Sequence, residues 1–194
     1  MNYLFHLGRD PELSCLEIVS FLQRNEIDYN IFKITRKFMI LELKSLDYNH
    51  AIKCLGGTIK ISVELDNIEN HVLNSIKSKR IDFGINVFES SQKSIEQVTD
   101  KIKEIAKKEK IKALHKHAQE NEIPPSKSKN LDFELTLCKN NVYRVVAVSD
   151  PKSYGDRDEV RPYFDPLQVV SVRLAKILIN LAQPKKNDTL LDPF

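Results

Sequence analysis

Hydrophobic positions along this chain recur in short stretches, some alternating and some at helical spacing, and the order of those stretches suggests a fold. Tyr3 to Gly8 reads as a short strand. Asp10 then stands in an N-cap position with Pro11 at the first helical residue, and Cys15, Ile18, Val19 and Leu22 follow at helical spacing. Tyr29 to Thr35 and Phe38 to Leu43 read as two strands joined tightly at Arg36-Lys37. Leu46 to Leu55 reads as a second helix closed by Gly56-Gly57, and Thr58 to Leu65 alternates into another strand. Strand, helix, strand, strand, helix, strand is the ferredoxin-like βαββαβ plan, so residues 1–66 are expected to form one such domain.

Residues 67–81 are polar and are expected to link, with a helix around His71 to Ile76. A second domain is expected over 82–150. Its strand Phe83 to Phe88 is followed by a helix capped by Ser94 and striped with Ile95, Val98, Ile102 and Ile105. Ile111 to Ala118 reads as a strand, and Pro124-Pro125 opens a loop or short helix. Leu131 to Cys138 and Val142 to Val148 make a hairpin around Lys139-Asn140-Asn141. Residues 151–166 read as a linker, and 167–194 as a further helix and strand. That helix carries Leu167, Val170, Leu174, Ile177, Leu178 and Leu181 on its apolar side, and Pro184 precedes the short strand Thr189-Leu190-Leu191. In α/β sheets a ligand sits off the carboxyl end of such a strand, in a glycine-rich turn. Here the strand leads to Asp192-Pro193-Phe194, and the last glycine is Gly155. The expected class is therefore α+β.

Composition narrows the setting. Hydrophobic residues make up 41% of the 194, but no apolar run reaches the roughly 18 residues that a membrane-spanning helix needs. The N-terminus lacks the basic start and apolar core of a signal peptide, so a cytoplasmic protein without a membrane partner is expected. Cys15, Cys54 and Cys138 are far apart and without CxxC spacing, which points to reduced thiols rather than a disulfide framework or zinc site. The net charge is +3, yet its distribution is uneven. Residues 101–130 hold nine lysines and four glutamates, so this segment carries +5 and the remainder −2. A local basic face suits RNA; it is also what a solvated helix face looks like.

Within that segment His115 and His117 lie one residue apart on a strand, which puts both imidazoles on one face. A metal would need a third ligand that the register does not offer. Beside Lys112 and Lys116 the pair suits a surface that meets phosphate. Lys127 and Lys129, alternating with Ser126 and Ser128, add ammonium and hydroxyl groups suited to backbone contacts. Arg157 and Arg161 either grip phosphate bidentately or pair with Asp158, Glu159 and Asp165. The chain shows no G-x-S-x-G, no P-loop, no cysteine with an evident partner and no recognisable pair of carboxylates, so no catalytic residue is assigned.

Five stretches together carry a family resemblance: YLFHLGRDPELSCLEI at the start, the domain from Phe83 to Val148, RDEVRPYFDP, SVRLAKILINLA and the final LLDPF. The chain resembles the archaeal tRNA (guanine(10)-N2)-methyltransferases, which belong with the wider THUMP-domain RNA methyltransferases. The resemblance implies a ferredoxin-like domain, an α/β THUMP domain docking on the acceptor end of tRNA, a linker, and the opening of a Rossmann-like methyltransferase domain. It also implies that Asp192, Pro193 and Phe194 begin the S-adenosylmethionine motif. In the family a small residue, a glycine-rich turn and an Asn- or Asp-Pro-Pro-Tyr motif follow, and this sequence has none of these. The family linker approaches its helix through a Gly-Met-Leu-Pro-Pro-Lys-like run, where this chain has Asp165-Pro166-Leu167-Gln168-Val169-Val170-Ser171. The expected activity is thus tRNA recognition without catalysis or cofactor binding by this chain alone, in concert with a methyltransferase domain that is truncated or separately encoded. The alternative is an interaction module that docks on such a subunit through its C-terminal helix.

Overall fold

The structure, a computed structural model, describes residues 1–118, 121–160, 170–185 and 187–191. Among them are eight strands and seven helices, a mixed α/β chain, gathered into two compact units. The first unit takes Met1–Ile61 together with Ser149–Phe194, and the second takes Ser62–Val148.

The first unit opens with β1 (Asn2–Leu7), α1 (Pro11–Arg24), β2 (Tyr29–Ile34), β3 (Phe38–Leu43), α2 (Tyr48–Cys54) and β4 (Thr58–Glu64), the expected βαββαβ order. Its strands lie in the order β2-β3-β1-β4, with β3 antiparallel to both β1 and β2. Residues Phe38 to Leu41 are all buried, so this central strand reads as an apolar run rather than an alternation. Asp10 precedes α1 but does not cap it through its side chain; its carbonyl accepts the Ser14 hydroxyl instead. Asp47 does cap α2, accepting from the His50 amide at 2.9 Å, which is why that helix starts later than Leu46.

The second unit contains α3 (Ile68–Ser75), β5 (Arg80–Phe88), α4 (Gln92–Lys108), β6 (Lys112–Lys116), α5 (Pro125–Ser128), β7 (Phe133–Cys138) and β8 (Asn141–Val148). Strands run β8-β7-β5-β6, with β5 parallel to both β6 and β7, and β7 antiparallel to β8. Three expectations shift. Ser91, not Ser94, caps α4, accepting from the Ser94 amide at 3.2 Å. β5 begins at Arg80, ahead of the expected boundary at Asp82. The hairpin turn contracts to Lys139-Asn140, with Lys139 in the left-handed region at φ 53. The core joins Phe83 and Ile85 of β5 and Phe133, Leu135 and Leu137 of β7 to Ile102 and Ile105 of α4, whose stripe faces inward as its spacing predicts.

The remaining elements return to the first unit. Where a linker is expected, α6 (Pro151–Glu159) forms behind Asp150 with Pro151 at its first position. After it comes α7 (Val172–Ala182), capped by the Ser171 hydroxyl, while the expected earlier turn at Leu167 lies outside the described residues. This helix packs on α1 in an unexpected orientation. Ile177 and Asn180 are buried, whereas Leu174 and Leu178 of the anticipated apolar side are exposed. Thr189 to Leu191 form no strand, and Leu190 and Leu191 are exposed. A three-residue segment with no neighbouring strand among the described residues gains too few hydrogen bonds to hold a ladder. Asp192, Pro193 and Phe194 lie outside the described residues.

Candidate nucleic-acid interface

The basic segment folds around β6, the edge strand of the second unit. Because side chains alternate across a strand, its residues divide between two faces. His115 lies on the face covered by α4, where its ring stacks on Phe83 at 5.1 Å between centroids and 9° between planes. Phe83 stacks in turn on Phe133, and His71 meets Phe133 edge-on, so four rings form a row. Burial, helped by the nearby charges of His117 and Lys103, lowers the His115 pKa to about 4. The imidazole is therefore neutral at pH 7 and offers hydrogen bonds rather than charge. Its Nε2 and the hydroxyl of Thr99 are buried without a hydrogen-bond partner. Both residues line a groove of about 410 Å³ that also includes Gln92, Glu96, Lys103 and Asn121.

The other face carries the charge. Lys112 and Lys116 share it with Arg80 and Asp82 of β5, since Arg80 registers with Lys112 and Asp82 with Leu114. Arg80 forks onto Asp82 at 2.6 and 2.7 Å, and Lys116 Nζ reaches the same carboxylate at 3.3 Å. Hydrogen bonding from Arg80, with help from Lys116, keeps the Asp82 carboxyl below its usual range. One carboxylate set between two cations holds their side chains in place and leaves the edge net positive.

Beside it lies a second groove, of about 530 Å³, lined by Asp82, Lys116, His117, Lys127 and Asn130 over a floor of Leu114, Ile123 and Leu131. The wall bearing Lys127 is held down by Asn86, which is fully buried in β5. Its Oδ1 accepts from the Ile123 amide at 2.8 Å, while its Nδ2 donates to Glu134 and to the Leu135 carbonyl of β7. Gly84 completes the seat, because a Cβ there would overlap Ile123 and come within 2.9 Å of Leu131.

Of the residues singled out in the sequence, Lys116, His117 and Lys127 meet at this groove, and His115 lies between the two grooves with its ring 4.6 Å from that of His117. Lys112 is exposed at the far end of β6. Lys129 is exposed just beyond α5. Arg157 belongs to α6 in the first unit, where it donates to the Ser153 carbonyl and stacks on Tyr154, and Arg161 lies outside the described residues. Among the described residues no three histidine, cysteine or acidic side chains come together to hold a metal. No described helix is long and apolar enough to cross a membrane. Sequence reasoning missed Arg80, Asp82 and Asn86. The last had a signal, since a polar residue inside the apolar run Ile85-Asn86-Val87-Phe88 has to be satisfied when buried.

No protein-family model and no curated protein matches this chain. Solved structures are similar at low level, two of them as follows. The crystal structure of PH1313 from Pyrococcus horikoshii Ot3 aligns at TM-score 0.48 and 13% identity, over 76% of this chain and 54% of that one. The crystal structure of a 4-thiouridine synthetase–RNA complex with bound ATP aligns at TM-score 0.44 and 11% identity, over 76% of this chain and 41% of that one. The chain spans about half the length of these structures, and such scores carry neither fold nor function across.

Proposed function

We propose that the second unit binds RNA through the β6 edge. The observation that carries this reading is the meeting of Lys116, His117, Lys127 and Asn130 at one exposed groove, with Arg80 and Lys112 along the same face. Phosphate oxygens suit the ammonium groups and the amide, and apolar Leu114, Ile123 and Leu131 give a sugar or base something to rest on. With His115 neutral, the lysines and Arg80 supply the charge, while the unpartnered groups in the neighbouring groove suit the hydrogen-bonding edge of a base.

On the finer level we read the RNA as tRNA, contacted at its acceptor end, and the chain as the recognition portion of an S-adenosylmethionine-dependent tRNA guanine-N2 methyltransferase. That level rests on the resemblance of RDEVRPYFDP, SVRLAKILINLA and LLDPF. Asp192, Pro193 and Phe194, which the resemblance assigns to the cofactor, lie outside the described residues. No transfer step is derived from them. A second reading, docking on a separately encoded catalytic subunit, draws on the exposed Leu174 and Leu178 of α7 and requires a stable complex with such a subunit in the absence of RNA.

Titrating the protein into tRNA at two or more salt concentrations tests the first reading. Binding is expected to weaken steeply with salt. Replacing Lys116, Lys127 and Lys129 together with Glu is expected to reduce affinity by at least about a hundredfold without loss of fold. Binding that ignores salt, or that survives the triple replacement, means the RNA surface is elsewhere or absent.

A further inference from the structure

The groove between α4 and β6 holds groups that phosphate binding does not use. α4 carries two stripes at helical spacing: Ile102 and Ile105 face the core, while Gln92, Glu96, Thr99, Asp100 and Lys103 line the groove. Its volume of about 410 Å³ is that of a small-ligand site, and Ile85, Val87 and Ile95 make part of it apolar. His115 and His117 line both this groove and the one bearing Lys116 and Lys127, so the two meet at the carboxyl end of β6. A backbone held on those lysines has a recess beside it for one base.

The polar groups in the recess say which base. Thr99 is only 7% exposed, and neither its hydroxyl nor His115 Nε2 has a hydrogen-bond partner within the chain. Buried polar groups nearly always have partners, so both suit a polar ligand in the groove. Gln92 already donates to Glu96 at 3.1 Å, which leaves Asp100 the better acceptor, and Lys103 follows it three residues on, along the same wall. An ionised carboxylate accepts two parallel N–H bonds, and an ammonium donates to a carbonyl. Guanine presents that set on one edge, N1–H and N2–H beside O6. Adenine and cytosine put an acceptor next to the amino group, and uracil has a single N–H between two carbonyls. The exposed His117 ring adds a face for stacking.

Resting on the RNA-binding reading above, we propose that this groove is a subsite for one unpaired guanine of RNA held on the β6 edge. Asp100 accepts from N1–H and N2–H, Lys103 donates to O6, and Thr99 and His115 meet remaining ring nitrogens. Fluorescence anisotropy of the full chain with short labelled oligouridylates, one central uridine replaced by guanosine, adenosine, cytidine or inosine, tests this. The guanosine strand is expected to bind at least about tenfold tighter than the uridine, adenosine and cytidine strands, with inosine, which lacks the amino group, in between. Asp100→Asn removes a negative charge, so it is expected to bind the all-uridine strand no more weakly while losing the guanine preference, a split that misfolding does not produce. Thr99→Val is expected to reduce the preference without lowering thermal stability, since the hydroxyl has no partner within the chain. GMP alone is expected to bind at least about a hundredfold more weakly than the guanosine strand, having no flanking phosphates for the lysines. Equal binding of all four bases, or a guanine preference that survives Asp100→Asn, overturns the subsite and leaves RNA binding standing. GMP as tight as the guanosine strand makes the groove a free-nucleotide site and overturns it too. Failure of every strand to bind overturns the RNA-binding reading, and the subsite with it.

Discussion

The helices α4 and α7 have similar sequence patterns but are buried to different extents. Each carries an apolar stripe at helical spacing, yet α4 turns Ile102 and Ile105 into the core while α7 buries Ile177 and leaves Leu174 and Leu178 partly in solvent. What holds α7 is polar. Glu17 of α1, fully buried, accepts the amides of Gly56 and Gly57 and the side-chain amide of Asn180, each at 2.8 Å. Arg173 donates to the Gly56 carbonyl at 3.0 Å, and Lys176 reaches the Lys53 carbonyl. The turn after α2 thus exposes backbone groups that only a polar helix face satisfies, and a buried carboxylate with three donors repays its desolvation. A hydrophobic stripe shows which face seeks burial; it does not show that a partner for that face is within reach.

Breaking the two anchors should expose this difference most strongly. Glu17→Ala strands three buried donors and is expected to cost about 4 kcal/mol of stability, somewhat more than the roughly 3 kcal/mol for Ile102→Ala in α4. Urea unfolding of both variants decides it, and a Glu17→Ala protein as stable as the parent would show that water replaces the network.

Acid should act next, and on the second unit. His115, whose folded pKa of about 4 lies below its ordinary 6.5, takes up a proton more readily when unfolded. Its contribution is therefore whole above about pH 6.5 and disappears as pH falls toward 4, with His71 shifted the same way by burial. Thermal melts between those limits should decline in the parent and decline less in His115→Phe. Equal slopes would mean that other groups carry the acid sensitivity.

The smallest effect is expected at the exposed side of α7. Leu178→Ser should change stability by less than about 0.5 kcal/mol, because half of the side chain already meets water. A loss approaching that of Ile102→Ala would show that something covers this face.

Much of the candidate interface could be read in the chain itself. Lysine density placed it between Lys101 and Asn130, but the sequence grouped His115 with Lys112 and Lys116 on one surface, whereas the fold turns the His115 ring onto Phe83 and Lys116 onto Asp82. Hidden were the partners that other strands bring. Arg80 and Asp82 reach the site only because β5 runs parallel to β6 in a particular register, and Asn86 only because β5 also pairs with β7. Arg157, for which the sequence left phosphate contact or pairing with neighbouring carboxylates open, lies in the first unit on Tyr154.

By itself, the sequence determined the order of elements through β8, the inward stripe of α4 and the basic character of residues 101–130. Those depend on spacing and charge within a few residues, which no packing partner alters. Tertiary structure alone decided the helix at Pro151, the exposure of Leu174 and Leu178 on α7 and the conformation of Thr189 to Leu191, which form no strand. Each turns on whether a distant surface satisfies an apolar face or a backbone amide, and the chain records that surface far away, at Glu17 and Gly56-Gly57, or not among its described residues.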